Sequence, residues 1–286
     1  MTNKCLSLLI HGGAGAMSGR NYDAELAHMR GLIEAGRDQL QAGGSAMDVV
    51  VATVAALEAS GLYVAGRGAS ANSAGKFELD ASLMDGPTRR AGAVAALQGF
   101  ASPIRAARAV MQATPHVMLA GEGAAAFAAS QGLEQIGPEW FTPARSAETR
   151  SASTGTVGCV ALDETGALAA ATSTGGTNGK LAGRVGDSPI VGAGVWADER
   201  VAISCTGVGE YFMRTATAAQ IAFRLSLARQ PLADAADAAL ADVVALGGWG
   251  GLIALSATGE IAMPFRSQGM KRAALAPDGT ITAAVF

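Results

Sequence analysis

Charge is scarce in this chain. Only 16% of its residues are Asp, Glu, Lys or Arg, and the formal net charge is -3. No basic stripe is present, so nucleic acid and anionic membrane are excluded as expected partners. Aromatic residues make up 5%, and there are three histidines, His11, His28 and His116. Those three have no metal-ligand spacing, and nothing beside them resembles a Ser-His-Asp set. Three cysteines, Cys5, Cys159 and Cys205, build no spaced framework. They read as small buried apolar groups in a reducing compartment. Long apolar runs are missing too. The run 6–10 after Lys4 is too short for a signal-peptide core, and nothing approaches the length of a membrane span. A cytoplasmic protein is the expectation.

Small residues are abundant instead. There are 38 glycines in 286 residues, and half of the chain is hydrophobic. Such a composition supports a sizeable core with close backbone packing and many tight loops. Residues 7–11 read as a buried strand that ends in the loop Gly12-Gly13-Ala14-Gly15. That loop fails the phosphate-binding fingerprints, which leaves packing or a place beside an active site. Helical periodicity runs over 22–42. A second helix starts at Ser45, with Asp48 completing a capping box. Residues 59–72 are Gly-rich and irregular. Strands are predicted at 77–83 and 92–97, then a helix capped by Ser102 and opened by Pro103 to about 112. A short apolar piece at 116–119 and a helix at 122–131 follow. The pattern lapses over 132–155, where Pro138, Pro143 and the polar run 145–154 suggest an exposed linker.

The stretch 151–160 follows that linker. Its apolar run Val157–Leu162, the turn 163–166 and the run 167–174 predict a hairpin, with Thr156 at its mouth and Gly155 just before. A threonine hydroxyl needs a base beside it to act as a nucleophile. Cleavage between Gly155 and Thr156 would supply one, because a new α-amine titrates near ~8. Taken alone, the stretch reads as a plain strand start rather than a nucleophile. Further on, Arg184 and Asp187 lie among glycines. Opposite charges in such a loop suit a zwitterion, with guanidinium for its carboxylate and carboxylate for its ammonium. They also suit each other. A strand at 201–204 runs into the turn 205–210 and a helix 210–229, which offers backbone N–H groups for an oxyanion hole or simply starts a helix. Another helix, 231–246, precedes strands at 252–256, 260–265 and 281–286. Together these elements predict two antiparallel-rich sheets covered by helices.

Seven stretches, in order and spread over nearly the whole chain, then carry a resemblance. They are His11-Gly12-Gly13-Ala14-Gly15, residues 78–86 (Glu-Leu-Asp-Ala-Ser-Leu-Met-Asp-Gly), Gly155-Thr156-Val157-Gly158, Thr172-Ser173-Thr174-Gly175-Gly176, residues 183–189 (Gly-Arg-Val-Gly-Asp-Ser-Pro), Thr206-Gly207-Val208-Gly209-Glu210 and Gly250-Gly251-Leu252-Ile253. The chain resembles the isoaspartyl peptidase / plant-type L-asparaginase family of N-terminal-nucleophile hydrolases. The resemblance implies an α+β fold, a four-layer αββα sandwich. It implies one domain, 1–286, that cleaves itself into 1–155 and 156–286 and assembles as an (αβ)2 heterotetramer. Thr156 would be nucleophile and, through its new amine, base. Thr174 would orient it, and Thr206 and Gly207 would form the oxyanion hole. Arg184 and Asp187 would hold the substrate, with Val185, Gly186, Val208 and Gly209 lining the site. Backbone carbonyls of Leu57, Glu58, Ser60, Tyr63, Ala65 and Arg67 would bind a structural sodium ion, and no organic cofactor is implied. The expected activity is release of L-aspartate from β-aspartyl dipeptides and, more weakly, from L-asparagine. A glycosylasparaginase, a β-Asp-Arg/Lys dipeptidase and a non-maturing amino-acid-binding relative are the alternatives. Two departures stand out. The family commonly has Asn where this chain has Val64, which removes an amide donor near the nucleophile and favours β-aspartyl dipeptides. The linker before Thr156 is also short for the family.

Overall fold

A computed structural model describes residues 6–142 and 155–286. Cys5 and the part of the expected linker from Pro143 to Thr154 lie outside the described residues. In chain order the strands are β1 Ser7–Ala14, β2 Leu79–Asp85, β3 Ala91–Leu97, β4 Met118–Ala120, β5 Val157–Leu162, β6 Leu168–Thr174, β7 Val195–Ala197, β8 Val201–Gly207, β9 Gly250–Ser256, β10 Ile261–Ala262, β11 Phe265–Arg266, β12 Met270–Leu275 and β13 Ile281–Ala284. The helices are α1 Asp23–Gln41, α2 Ala46–Ala59, α3 Pro103–Ala113, α4 Gly121–Ser130, α5 Gly209–Thr215, α6 Thr217–Ala228 and α7 Leu232–Ala245. One sheet has eight strands in the order β13-β12-β1-β5-β6-β2-β3-β4. A second has β10-β9-β8-β7, with β11 also on β9. All pairings are antiparallel except β3 with β4. The fold is therefore mixed α and β, with two sheets and helices.

Period-2 alternation explains how the central strands are buried on both faces. On β5, Val157, Cys159 and Ala161 join one apolar cluster with Met29, Ile33, Val54 and Leu57 of α1 and α2. Val160 and Leu162, between them, join another with Ala202, Ile253 and Leu255 of β8 and β9. The remaining faces of β8 and β9 bury Ile203 and Leu252 against Phe212, Ile221 and Leu240 of α5–α7. Many of these contacts are alanines, which keep the two sheets close. No helix among the described residues is long and apolar enough to cross a membrane.

Several elements differ from their sequence expectations. β1 continues past His11 to Ala14 through a bulge, made possible by Gly13 at φ 96°. The expected helix 210–229 is two helices that meet at Ala216, which has left-handed φ 48°. There the hydroxyls of Thr215 and Thr217 bond back to the carbonyls of Tyr211 and Phe212 and replace lost helical bonds. Ser45 caps α2 as expected, accepting from Asp48 N at 3.1 Å. Ser102 does not cap α3. Its hydroxyl donates to Glu58, and the Glu58 carboxylate itself accepts from Ile104 N at 3.0 Å. β12 was not expected, because Lys271 and Arg272 interrupt its apolar pattern. Lys271 is nevertheless buried, with its ammonium 5.7 Å from the Tyr22 ring centre. β7 was missed for its shortness, and Met263-Pro264 splits the strand expected at 260–265.

Candidate functional site

The β5–β6 hairpin puts Thr156 at one end of the eight-stranded sheet, beside Thr174 at the end of β6. Thr156 Oγ1 donates to Thr174 Oγ1 at 3.4 Å. Thr174 Oγ1 in turn donates to the carbonyl of Gly155 at 2.7 Å and accepts from Gly176 N at 3.0 Å. The Gly155–Thr156 peptide is tightly enclosed. A Cβ on Gly13 would stand 3.2 Å from both Gly155 Cα and Thr156 N. A Cβ on Gly155 would stand 2.6 Å from Val64 Cβ, so Val64 packs directly on the residue before the nucleophile candidate. His11 supports the next peptide, Thr156–Val157, its Nδ1 lying 3.2 Å from the carbonyl of Thr156. Burial pushes the imidazole down to about 3, so it is neutral at working pH.

Arg184 and Asp187 face the same pocket, which is lined by Gly155, Thr156, Thr174, Arg184, Gly186, Asp187, Gly207 and Gly209. Gly176, Thr177 and Ser188 also line it and were not anticipated. Arg184 and Asp187 do not satisfy each other. The guanidinium makes a two-pronged pair with Glu210, Nε at 2.8 Å and Nη2 at 2.9 Å. Asp187 is buried, and its Oδ2 has no hydrogen-bond partner. Burial raises its carboxyl to about 7, against the pull of Arg184. An orphaned buried acceptor beside an arginine suits a ligand that brings an ammonium and a carboxylate together. Gly209 must be glycine here, because a Cβ would lie 2.8 Å from Asp187 Oδ1 and N.

Three expected site residues are placed differently. Thr206 lies on β8 beneath the pocket, its Oγ1 accepting from Ala14 N at 3.1 Å. Neither Val185 nor Val208 lines the pocket. The turn expected to offer free N–H groups is the end of β8, and Val208 N is already given to the carbonyl of Trp249 at 3.1 Å. Of the residues expected at the oxyanion hole, Gly207 lines the pocket and Thr206 does not.

Behind the pocket lies a buried charge cluster that was not expected as such. Lys180, its side chain 1% exposed, stands 3.9 Å from Glu78 Oε2 and 3.8 Å from Asp80 Oδ2. It donates to the Glu78 carbonyl at 3.2 Å, and the Glu78 carboxylate accepts from Gly183 N at 3.0 Å. The cluster thus ties down the loop that delivers Arg184. Its one sequence signal was two acids two residues apart, Glu78 just before β2 and Asp80 within it, which extended backbone sends to one side.

In the loop proposed for sodium, a 3-10 turn at Gly66–Gly68 tucks against earlier carbonyls. A Cβ on Gly66 would lie 2.6 Å from the Glu58 carbonyl, and one on Gly68 would collide with that of Tyr63. The carbonyls of Leu57, Tyr63, Ala65 and Arg67 each accept one hydrogen bond, from Ser60 Oγ, Ala65 N, Gly68 N and Thr142 N. Each keeps a second lone pair. Among the described residues no group of three His, Cys, Asp or Glu suits a metal.

The asparaginase family model matches residues 4–151 and 142–285. An isoaspartyl peptidase of Salmonella typhimurium is 46% identical over 293 residues, covering 93% of this chain and 94% of that one. The isoaspartyl peptidase/L-asparaginase of Homo sapiens is 40% identical, covering 96% and 94%. A plant-type L-asparaginase of Pyrobaculum calidifontis is 46% identical over 71% of this chain and 74% of its own.

Proposed function

This chain belongs to the isoaspartyl peptidase/L-asparaginase family and is a hydrolase, and we propose that it is a self-cleaving threonine enzyme releasing L-aspartate from β-aspartyl dipeptides and, more weakly, from L-asparagine. The observation that carries this reading is one pocket holding Thr156, Thr174, Arg184 and an Asp187 oxygen without a partner. Maturation begins when Thr156 Oγ1 attacks the Gly155 carbonyl carbon. Thr174, already donating to that carbonyl oxygen, steadies the oxyanion that forms. The hydroxyl proton passes to the Thr156 nitrogen, the C–N bond breaks, the acyl group is left on Oγ1 as an ester, and the Thr156 amine is freed. Water then hydrolyses the ester and leaves 1–155 and 156–286.

In turnover the freed amine takes the Thr156 hydroxyl proton. Arg184 binds the substrate α-carboxylate and Asp187 its α-ammonium. Thr156 Oγ1 attacks the side-chain carbonyl, and the Gly207 N–H receives the oxyanion, with Thr206 holding the strand end that presents it. The amine or ammonia leaves with a proton, and water releases L-aspartate from the ester. Val64 in place of an amide donor supports the preference for dipeptides over asparagine.

The same proposal includes the four-layer αββα sandwich, which the division of the core into three apolar clusters supports. It also includes one domain throughout, assembly as (αβ)2 and a cytoplasmic location, the last supported by buried unpaired Cys159 and Cys205. The carbonyls of Leu57, Glu58, Ser60, Tyr63, Ala65 and Arg67 would hold a sodium ion, whose charge would offset their converging dipoles. The test is an intact mass of freshly expressed protein, repeated after days, for the native chain and Thr156→Ala. Two fragments meeting at Gly155 and Thr156, an uncleaved variant, and turnover of β-Asp-Leu lost in that variant are expected. Turnover undiminished in Thr156→Ala refutes the reading. A native chain that stays whole favours an amino-acid-binding protein, and preference for β-Asp-Arg over β-Asp-Leu favours the basic-dipeptide specificity.

A further inference from the structure

Beneath Thr156 the two sheets are joined by a line of side-chain hydrogen bonds. His11 sits on β1 and Thr172 on β6 of the larger sheet, and Ser204 sits on β8 of the smaller one. All three are fully buried. His11 Nδ1 is 3.2 Å from the Thr156 carbonyl, and its Nε2 is 2.9 Å from Ser204 Oγ. Ser204 Oγ is 2.7 Å from Thr172 Oγ1, which also reaches the Gly194 carbonyl at 3.1 Å.

The protons of this line follow by elimination. A carbonyl only accepts, so Nδ1 carries the hydrogen. Burial and the nearby Lys271 ammonium keep the ring neutral, so Nε2 carries a lone pair. Ser204 must then donate to Nε2. Its remaining lone pairs accept from Thr172, which shares its hydrogen with Gly194. Each hydroxyl fixes the direction of the next, and the last member fixes the imidazole tautomer. The line also needs room. A methyl group on Gly158 would collide with both Ser204 Oγ and His11 Nε2. Gly158 is therefore the gap in β5 through which the smaller sheet reaches the histidine.

We propose that His11, Ser204 and Thr172 form a positioning line for the nucleophile: His11 holds the Thr156 main chain by its carbonyl, the two hydroxyls hold the tautomer that allows this, and Gly158 admits them. The proposal rests on the reading of Thr156 as nucleophile and deepens it. None of the three touches substrate. Their contribution is orientation. After cleavage, Thr156 is a chain terminus whose amine and hydroxyl must keep one geometry, and its carbonyl is the anchor nearest to them.

The test uses amide substitutions that reproduce one ring nitrogen each. In His11→Asn the amide nitrogen stands where Nδ1 stood, and in His11→Gln it stands where Nε2 stood. Matured protein is selected by intact mass, and kcat and KM are measured with β-Asp-Leu. His11→Gln is expected to lower kcat on the order of 10²-fold with KM within about twofold, while His11→Asn stays within about fivefold of native kcat. Equal effects of the two variants, or a loss carried by KM, overturn the proposal. Nitrogen-15 NMR of the native protein, labelled in its three histidines, supplies a readout that needs no folded variant. The Nδ1–H tautomer of His11 is expected, unchanged from pH 5 to 9 as ordinary assay limits. An Nε2–H tautomer overturns the proposal. Thr156→Ala in the same assay separates the two levels. If it turns over normally, the nucleophile reading fails; if it is inert while His11→Gln is native-like, only the positioning line fails.

Discussion

Replacing Asp187 by Asn keeps the shape of the pocket and removes its negative charge. In the free enzyme burial raises this carboxyl from 3.8 to about 7. That shift corresponds to a cost on the order of 4 kcal/mol for the ionised form. An ammonium bound at the unpartnered Oδ2 offsets the cost and returns the group to its charged state. Losing one partner of such a buried charge pair costs about 2–5 kcal/mol, so kcat/KM should fall about 30- to 5000-fold. Most of the loss should appear in KM, because the contact is made equally in ground and transition states. The pH dependence has a definite sign. Below about 7 the free carboxyl is a neutral acid and holds no ammonium, so kcat/KM rises with pH through that value. The Thr156 amine, titrating near ~8, must also lose a proton. Two deprotonations make log kcat/KM rise with a limiting slope of about two below that range, and Asp187→Asn should reduce it to about one. Stopped-flow or coupled aspartate assays from pH 5 to 9 measure both quantities. An Asp187→Asn enzyme within about threefold of native kcat/KM, with the slope unchanged, refutes the assignment.

Other outcomes follow from the same geometry. Thr174→Val removes the donor on the Gly155 carbonyl and the acceptor for Thr156, and should slow both maturation and turnover on the order of 10²-fold, read by fragment mass over time and by kcat. Lys180→Met leaves Glu78 and Asp80 buried without their cation and should cost about 3–5 kcal/mol in urea unfolding. Glu58 accepts from Ser102, Ser173 and Ile104 N, so Glu58→Gln turns an acceptor into a donor facing donors. It should cost about 1–3 kcal/mol and lower Tm by several degrees.

Much of the local structure was legible because it follows from local rules. The β5–β6 hairpin is written in two apolar runs around a turn, α1 in its periodicity, α2 in its stripe and its Ser45 cap, and α7 in its opening Pro231. Thr156 and Gly155, and the pair Arg184 and Asp187, were recognisable by residue type and by motif order along the chain. Where local pattern failed, a distant partner had won. β12 carries Lys271 and Arg272 inside a strand because Tyr22 and Phe265 cover their charges. Ser102 looks like a helix cap, yet Glu58 from another helix takes that role.

The sequence by itself determined the chemistry available: a threonine after a glycine, and an arginine and an aspartate among small residues, with no Ser-His-Asp set or metal-ligand spacing. Tertiary structure alone decided how those groups are used. It gave Arg184 to Glu210, left an Asp187 oxygen without a partner, and set Lys180 between two acids. It also brought His11, Thr172 and Ser204 into one line beneath Thr156, from positions 193 residues apart at the extremes. The physical reason is that proton sharing and desolvation depend on which groups meet across strands and sheets. Sequence spacing records only which groups are near along the chain.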